Sequence, residues 1–276
     1  MYYYAHMRAE ADIPGVAQLR HRVPGKPLSD FVKLLWYWTG HPQPLVRERI
    51  LPMGSVELVI QLNNPKVSQS GMTGPRSESF LIERRATDQL LGVHFKPGGA
   101  FPFLGFPYSK LHNTHVTLGD LWGEQLADRL LCLLNQAPTV ELKFRTMERW
   151  LLGIARQPFQ HHPAVTFAVE TFQKDPAISS SAKVAERVGF SQRRFIELFR
   201  NEVGMTPKLF CRVERFQHVV HAIGQKADVD WIDLALDHGY SDQSHFNHDF
   251  REFSGLRPTE YLGLRTENHG HVRYPE

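Results

Sequence analysis

The chain has 276 residues, of which 42% are hydrophobic and 22% charged. This length and composition indicate a folded protein of two domains and exclude a disordered or low-complexity chain. The formal net charge of +3 is too small to argue for a nucleic-acid partner, so such a partner has to be argued from local arrangement. Cys132 and Cys211 lie far apart in separate helical patterns, which excludes a disulfide framework and fits a reducing compartment.

The sequence shows no sign of a membrane partner. No stretch approaches the roughly 18 to 20 uninterrupted apolar residues that a membrane-spanning helix needs. The first residues, Met1 to His6, lack the basic segment followed by an apolar run that a secretory signal requires. We therefore expect a cytoplasmic protein.

The first part of the chain has the character of a β-rich domain. Residues 1–27 carry scattered charge and three prolines, which predicts a loosely ordered N-terminal arm. Residues 28–116 contain short apolar runs punctuated by glycine and proline, so we expect a β-sandwich or small barrel. Residues 86–88 separate two of these runs and predict a hairpin. The expected strands are Phe31–Trp38, Arg47–Pro52, Val56–Leu62, Ser79–Arg85 and Gln89–Phe95.

Four residues of this domain are candidate ligand contacts. Trp36 and Trp38 lie two residues apart, so they share one strand face and either pack in the core or stack against a ligand. Glu57 faces the side of its strand opposite its apolar neighbours. It is a polar anchor for a ligand if that side is the interior, and a solvated charge otherwise. His94 is the fourth candidate.

A metal site is not expected in this domain. His94 is alone on its strand, and His112 and His115 stand three residues apart in what reads as a loop. Metal binding needs a cluster of ligands at closer spacing. The paired-histidine motif of metal-binding cupins is absent, and no cofactor is implied.

The apolar period becomes helical from Leu118 onward. Residues 117–156 predict a helical connector with two amphipathic helices. These helices either pack on the β-domain or pair with a second copy of the chain, and we prefer a homodimer. Residues 157–163 hold two prolines and predict a linker. A helical domain over 164–265 and a tail over 266–276 complete the chain.

One pattern occurs twice between about residues 180 and 262. From Phe195 and Phe246 onward the copies stand 51 residues apart, and at Gly189 and Gly239 the spacing is one residue less. Eight positions match in order, which indicates a duplicated structural unit. The first copy has Gly189, Phe190, Ser191, Phe195, Phe199, Gly204, Pro207 and Phe210, and the second has Gly239, Tyr240, Ser241, Phe246, Phe250, Gly255, Pro258 and Tyr261.

Each copy has the outline of a helix-turn-helix. A short helix is followed by a turn at Gly189 or Gly239 and by a second helix, which we expect Ser191 or Asp242 to cap. A wheel at about 100° per residue buries the phenylalanines and turns polar side chains outward. Polar side chains at the start of an exposed helix suit reading of the major groove. One such helix would be interpreted as solvated surface, but two copies with matching turns favour DNA binding.

Residues 189–210 and 239–261 resemble the paired helix-turn-helix region of the AraC/XylS family of bacterial transcription regulators. The N-terminal half is similar to the β-rich, cupin-like sensor domains of many members. The resemblance implies an α+β chain in which a long helix, about Pro207–Ile223, joins two units that enter successive major grooves of double-stranded DNA. It also implies control by a small-molecule effector or a partner at the sensor domain.

The candidate DNA contacts come from the wheel and from the resemblance together. The family often has a basic residue where Glu197 and His248 stand, so Glu197 is instead a possible acceptor for a cytosine amino group. The candidates are Arg193, Arg194, Ile196, Glu197 and Arg200 in the first unit and Gln243, Ser244, His245, Asn247 and His248 in the second.

The two units differ in charge. Residues 180–215 hold eight basic and four acidic residues, whereas residues 226–262 hold three basic and eight acidic residues. Because phosphate attraction supplies much of the affinity for DNA, we expect the first unit to supply most of the binding affinity and the second mainly to add selectivity. The acidic surface of the second unit is an alternative contact for RNA polymerase or the sensor domain.

The sequence thus predicts a sequence-specific transcription regulator that is not an enzyme. An alternative is a small-molecule-binding β-domain with its own chemistry, that is, an enzyme with an appended helical targeting module. A third interpretation is a non-specific architectural DNA binder, which would bind random and promoter DNA equally.

Overall fold

A computed structural model describes residues 18–40, 45–63, 70–175, 181–225, 229–266 and 270–274. The fold is α+β, with a β-rich N-terminal half, three connecting helices and an all-helical C-terminal half. No helix in these ranges is long and apolar enough to cross a membrane. The strands are β1 (Gln18–Arg22), β2 (Val32–Thr39), β3 (Leu45–Ile50), β4 (Glu57–Gln61), β5 (Gly71–Thr73), β6 (Phe80–Arg85), β7 (Gln89–Phe95), β8 (His115–Thr117) and β9 (His271–Arg273). The helices are α1 (Leu118–Trp122), α2 (Glu124–Gln136), α3 (Val140–Ile154), α4 (Pro163–Lys174), α5 (Ser181–Arg187), α6 (Gln192–Val203), α7 (Pro207–Gly224), α8 (Trp231–Asp237), α9 (Gln243–Ser254) and α10 (Pro258–Leu264).

The strands form two antiparallel sheets. The larger sheet has the order β1-β2-β7-β4-β5-β8, and the smaller has the order β6-β3-β9. Because side chains alternate along a strand, one face of β2 presents Leu35 and Tyr37 to the core shared with α1, α2 and α3, and the other presents Trp36 and Trp38. Gly92 on β7 lies opposite Trp36, and a Cβ there would be 2.0 Å from the indole ring.

The predicted hairpin at residues 86–88 is wrong. The chain does turn there, with the Asp88 amide donating to the Arg85 carbonyl at 3.0 Å. However, β6 pairs with β3 in the smaller sheet, whereas β7 pairs with β2 and β4 in the larger one. The turn therefore carries the chain from one sheet to the other.

The two ends of the described chain also differ from the expected arm and tail. Residues 18–22 of the expected arm form β1, which pairs with β2 along its whole length; residues 1–17 lie outside the described residues. Residues 271–273 of the expected tail form β9, which pairs with residues 48–50 of β3. Main-chain pairing explains the order of both segments: β1 pairs with the next strand in the chain and β9 with a strand far away in sequence.

The expected linker is packed against both halves. Phe159 stacks edge-on against Phe31 and Phe103 of the N-terminal core. The His161 ring and the His162 amide both bond the Glu202 carboxylate of α6, at 3.1 and 3.2 Å. The chain between the halves is therefore held on both sides.

The C-terminal half contains the duplicated unit. Helices α5 and α6 form the first helix-turn-helix, α8 and α9 form the second, and the 18-residue helix α7 joins them, so the prediction is confirmed. The turn glycines Gly189 and Gly239 have φ of 74° and 76°, in the left-handed region that a side chain disfavours. The amides of Phe190 and Tyr240 bond the carbonyls five residues earlier, at 3.0 Å in both units.

An ion pair ties the second unit to the joining helix. Arg212 of α7 donates to Asp249 at 2.6 Å and to Glu252 at 2.7 Å, both on α9. Burial alone would lower the pKa of Arg212, but these two carboxylates outweigh burial and raise it. The Asp249 side chain is only 4% exposed, so this pair compensates a buried charge.

The two halves share a packed interface. Leu51, which follows β3, belongs to the apolar core of the C-terminal half. The Gln217 side chain donates to the Pro52 carbonyl, and Gly54 lies so close to Phe210 that a Cβ there would be 2.5 Å from the ring. The N-terminal half is therefore docked along α7.

Glu214 of α7 is the titratable group of this interface. Burial raises the pKa of its carboxyl to about 7, against the opposing effects of a hydrogen bond with Gln173 and the charge of Lys33. Burial also lowers the pKa of Lys33. A carboxyl with a raised pKa in the folded state costs stability as pH rises, because the folded protein must release a proton that the unfolded chain has already lost.

We expect Glu214→Gln to change the pH dependence of stability. The penalty is absent below the ordinary carboxyl pKa of 4.5, grows as pH rises to about 7, and is fully present above that value. At roughly pH 8 the variant should be more stable than the wild type by about 3 kcal/mol, and below pH 4.5 the two should be nearly equal. Denaturant unfolding at both pH values measures this difference. Glu186→Gln, at an exposed position, is the control and should not alter the profile.

Candidate nucleic-acid interface and ligand cavity

The first recognition helix, α6, buries one face and exposes the other. Phe195 and Phe199 are fully buried in the C-terminal core. The side chains of Arg193, Arg194, Glu197 and Arg200 are exposed, and Ile196 is half-buried beside them. Arg193 is 91% exposed and pairs with Glu197 at 3.2 Å. A surface pair of this kind is weak, so the guanidinium can exchange it for a phosphate or base.

The second recognition helix, α9, has the same construction. Phe246 and Phe250 are fully buried. The five candidate DNA contacts of this helix, Gln243, Ser244, His245, Asn247 and His248, are all exposed. The structure thus brings each set of candidates together on one outward face, and the two faces belong to helices held by one apolar core.

The start of each recognition helix is capped as expected. The Ser191 hydroxyl accepts from the Arg194 amide at 3.4 Å, and the Asp242 carboxylate accepts from the His245 amide at 2.8 Å. The bond to that amide, followed by one from Ser241, lowers the pKa of Asp242. Both caps lie on exposed ends where the backbone amides also suit an anion such as a phosphate.

The exposed positive charge is concentrated on the first unit. Two of the eight basic residues of this unit are not free to contact DNA. Arg212 pairs with the acidic residues of α9. Arg215 is buried, with its guanidinium carbon 5.1 Å from the centre of the Tyr240 ring. Six basic side chains remain exposed there: Lys183, Arg187, Arg193, Arg194, Arg200 and Lys208. In the described part of the second unit, Arg251 and Arg257 are exposed.

One group in the described residues has metal-ligand spacing. Ligand atoms of His248, Asp249 and Glu252 lie within 4.8 Å of one another. However, Arg212 already bonds both carboxylates, and a cation there would compete with a guanidinium. This group is a structural ion-pair cluster at the edge of α9.

The space between the two sheets is a cavity of about 730 Å³. Trp36, Trp38 and Glu57 lie in its wall, on the inner face of the larger sheet. The Trp36 indole donates to Glu57 at 2.7 Å. His94 is not in the wall: it is buried behind Glu57, 3.9 Å from that carboxylate, and burial lowers its pKa.

The smaller sheet supplies the opposite wall of the cavity. Glu48 of β3 accepts from the His271 ring of β9 at 3.0 Å and pairs with Arg84 of β6 at 3.5 Å. The Arg84 guanidinium lies over the Trp38 ring at 5.5 Å. Apolar rings and a carboxylate–imidazole–guanidinium group therefore face one another across the cavity.

Sequence reasoning missed these residues of the smaller sheet. Arg76 also lines the cavity and was missed, and His115, which was expected in a loop, lies on β8 and lines the cavity too. Burial lowers the pKa of both side chains. Along β6 three apolar residues, Phe80 to Ile82, are followed by three charged ones, Glu83 to Arg85, so no alternation in the sequence marks one face of this strand as interior.

Two family models match the chain. Residues 20–117 match a domain of unknown function (DUF6597), and residues 184–263 match a helix-turn-helix domain. An uncharacterized HTH-type transcriptional regulator of Haemophilus influenzae is 29% identical over 129 residues, which are 47% of this chain. The chain spans 37% of the length of that relative.

Two solved structures with some likeness to the chain come from bacteria. The C-terminal domain of AraT, a response regulator from Geobacillus stearothermophilus, is 21% identical, with a TM-score of 0.36 over 38% of this chain and 87% of that one. ToxT from Vibrio cholerae is 9% identical, with a TM-score of 0.40 over 90% of this chain and 97% of that one.

The TM-scores of these structures are low. Residues 184–263 are therefore identified as a helix-turn-helix domain by their sequence match and by the geometry of the two units. Both recognition helices and the helix that joins them lie inside the matched residues 184–263. Their glycine turns, caps and buried phenylalanines repeat from one unit to the other. Residues 184–263 therefore form a duplicated helix-turn-helix domain, and in this region the chain is similar to HTH-type transcriptional regulators.

Proposed function

We propose that the protein is a sequence-specific DNA-binding transcription regulator, controlled by a small molecule in the cavity of its N-terminal half. The observation that carries this function is the pair of exposed polar helix faces, α6 and α9, on one core with α7 between them. Helices presented in this way can enter successive major grooves and read base edges. The protein acts in this proposal as a cytoplasmic regulator and not as an enzyme.

Two further partners belong to this proposal. Leu133, Leu142 and Leu152 are large apolar side chains left 39 to 45% exposed on α2 and α3, and their burial against a second copy would form a homodimer. On α8, Ile232 and Leu236 are exposed beside two aspartates. This acidic and apolar surface is our proposed contact for RNA polymerase.

The experiment that tests the function is DNA binding to fragments from the protein's own genomic neighbourhood. We expect one or more fragments to bind at least about a thousandfold more tightly than random DNA at the same salt concentration. Footprinting on a bound fragment should then show two protected regions about one helical turn apart. Equal affinity for all fragments would instead support an architectural DNA binder.

The two units should contribute unequally to this binding. Arg193→Ala removes an exposed cation from the more basic unit and should weaken binding by about tenfold or more. Ser244→Ala on α9 removes a neutral hydroxyl at a comparable exposed position and should cost less. Titration of both variants on one promoter fragment measures which of them loses more affinity. A larger loss for Ser244→Ala would contradict the expectation that the first unit supplies most of the DNA affinity. A smaller salt dependence for Arg193→Ala would show that the lost contact is to phosphate.

The cavity should bind a small molecule that stabilises the whole chain. A ligand present at about 100 times its dissociation constant adds about 2.7 kcal/mol, which should raise the Tm by about 5 °C or more. A thermal-shift screen of metabolites on the full chain measures this. Glu57→Gln keeps the bulk of the side chain but removes its charge, so it should reduce the response to a polar ligand. If no compound shifts the Tm and DNA binding is unregulated, effector control is wrong.

A further inference from the structure

The smaller sheet separates the ligand cavity from the C-terminal half, and its central strand touches both. On β3, Glu48 and Ile50 face the cavity. Arg49 between them points the other way, because successive side chains of a strand alternate. Its guanidinium donates to the carbonyl of Ser254, the last residue of α9, at 2.9 Å. One strand therefore lines the cavity and holds the second recognition helix.

The contact between β3 and α9 is close and has more than one component. Ser79, which precedes β6, also donates to the Ser254 carbonyl, at 3.2 Å. A Cβ on Gly255 would lie 2.8 Å from the Arg49 guanidinium, and the φ of Gly255 is 71°. The guanidinium thus lies against the C-terminal end of α9, where a cation is favoured by the helix dipole.

Strand β9 connects the same two regions in the opposite direction. His271 lines the cavity and bonds Glu48 at 3.0 Å. Its neighbour Val272 is 1% exposed and belongs to the apolar core of the C-terminal half. Because side chains alternate along β9, His271 lies in the cavity wall and Val272 lies in the core of the C-terminal half. Because β9 follows α10 in the chain, a segment beyond the DNA-binding helices forms part of the cavity wall.

We propose that a ligand in the cavity contacts the Glu48, Arg84 and His271 group, and that β3 and β9 transmit its binding to the C-terminal end of α9. This inference rests on the proposed function and names the regulation of that site. The ligand is a small molecule with a flat apolar part, which packs on Trp36 and Trp38, and a polar group that hydrogen-bonds to the opposite wall. A cavity of about 730 Å³ is within the range for such ligands.

The coupling requires no contact between the ligand and α9. A polar group that bonds Arg84 or Glu48 competes with the bond between Glu48 and His271, because the three side chains form one group. Any shift of β3 or β9 that follows moves Arg49 and Val272, since they lie on the same two strands. Both residues contact the C-terminal half: Val272 packs in its core, and Arg49 donates a hydrogen bond to the end of α9.

Hydrogen exchange of the full chain, without DNA, tests this coupling. Glu48→Gln weakens the hydrogen bond with His271 and the ion pair with Arg84. Both contacts are on the cavity face of β3, so the substitution leaves the Arg49 face unchanged. We expect it to speed amide exchange in the last turn of α9 by about fivefold. Arg49→Ala, on the other face of β3, should speed the same amides by at least as much. Val59→Phe places a ring in the cavity from the larger sheet, as a stand-in for a ligand, and should also change their exchange by about fivefold.

Arg47→Ala is the matched control for Arg49→Ala. Arg47 lies two residues away on the same strand face and forms an exposed pair with Glu83 at 2.9 Å, so its loss should leave α9 unchanged. Exchange in α2 should stay at the wild-type rate in all variants, which excludes general loss of stability. If Glu48→Gln and Val59→Phe alter exchange only in the two sheets, the coupling is wrong. That result would leave the DNA-binding function intact, since DNA affinity is measured separately.

Discussion

The arrangement of the two helix-turn-helix units depends on the ion pair between Arg212 and Asp249. A carboxylate that is almost fully buried is costly unless a cation compensates it. Arg212 supplies that cation from α7 and reaches Glu252 as well, so α9 has a specific position along the joining helix. Two helices can read successive grooves only if the distance and angle between them are constant. Apolar packing of the phenylalanines alone would allow neighbouring positions, whereas a bonded pair selects one.

Local physical chemistry accounts for what could be predicted from the sequence. The turns at Gly189 and Gly239 and the caps Ser191 and Asp242 depend on residues within about five positions, so their motifs are sufficient. The exposed faces of α6 and α9 follow from the helical period and the buried phenylalanines. The connector helices α2 and α3 follow for the same reason. Each of these features satisfies its own backbone groups within one short segment.

Pairing between distant strands explains what could not be predicted. Residues 80–95 have the pattern of a hairpin, yet β6 and β7 belong to different sheets, because the partner of each strand lies elsewhere in the chain. His271 and Glu48 are 223 residues apart, and β9 has only three residues. No local signal identifies so short a strand. The cavity has the same origin: Trp36 and Trp38 were recognisable as one strand face and Glu57 as a candidate anchor on another strand, but the residues opposite them were not recognisable.

Strand β9 follows the other described elements along the chain, and this order has a consequence for synthesis on the ribosome. While the chain emerges, β3 has β6 as a neighbour but lacks the strand that later covers its other edge. An uncovered strand edge can pair with other chains and promote aggregation. The N-terminal half of a nascent chain therefore lacks one strand of the cavity wall until the C-terminal half has been translated. A chain that stops before β9 would thus have an incomplete cavity as well as an uncovered edge on β3.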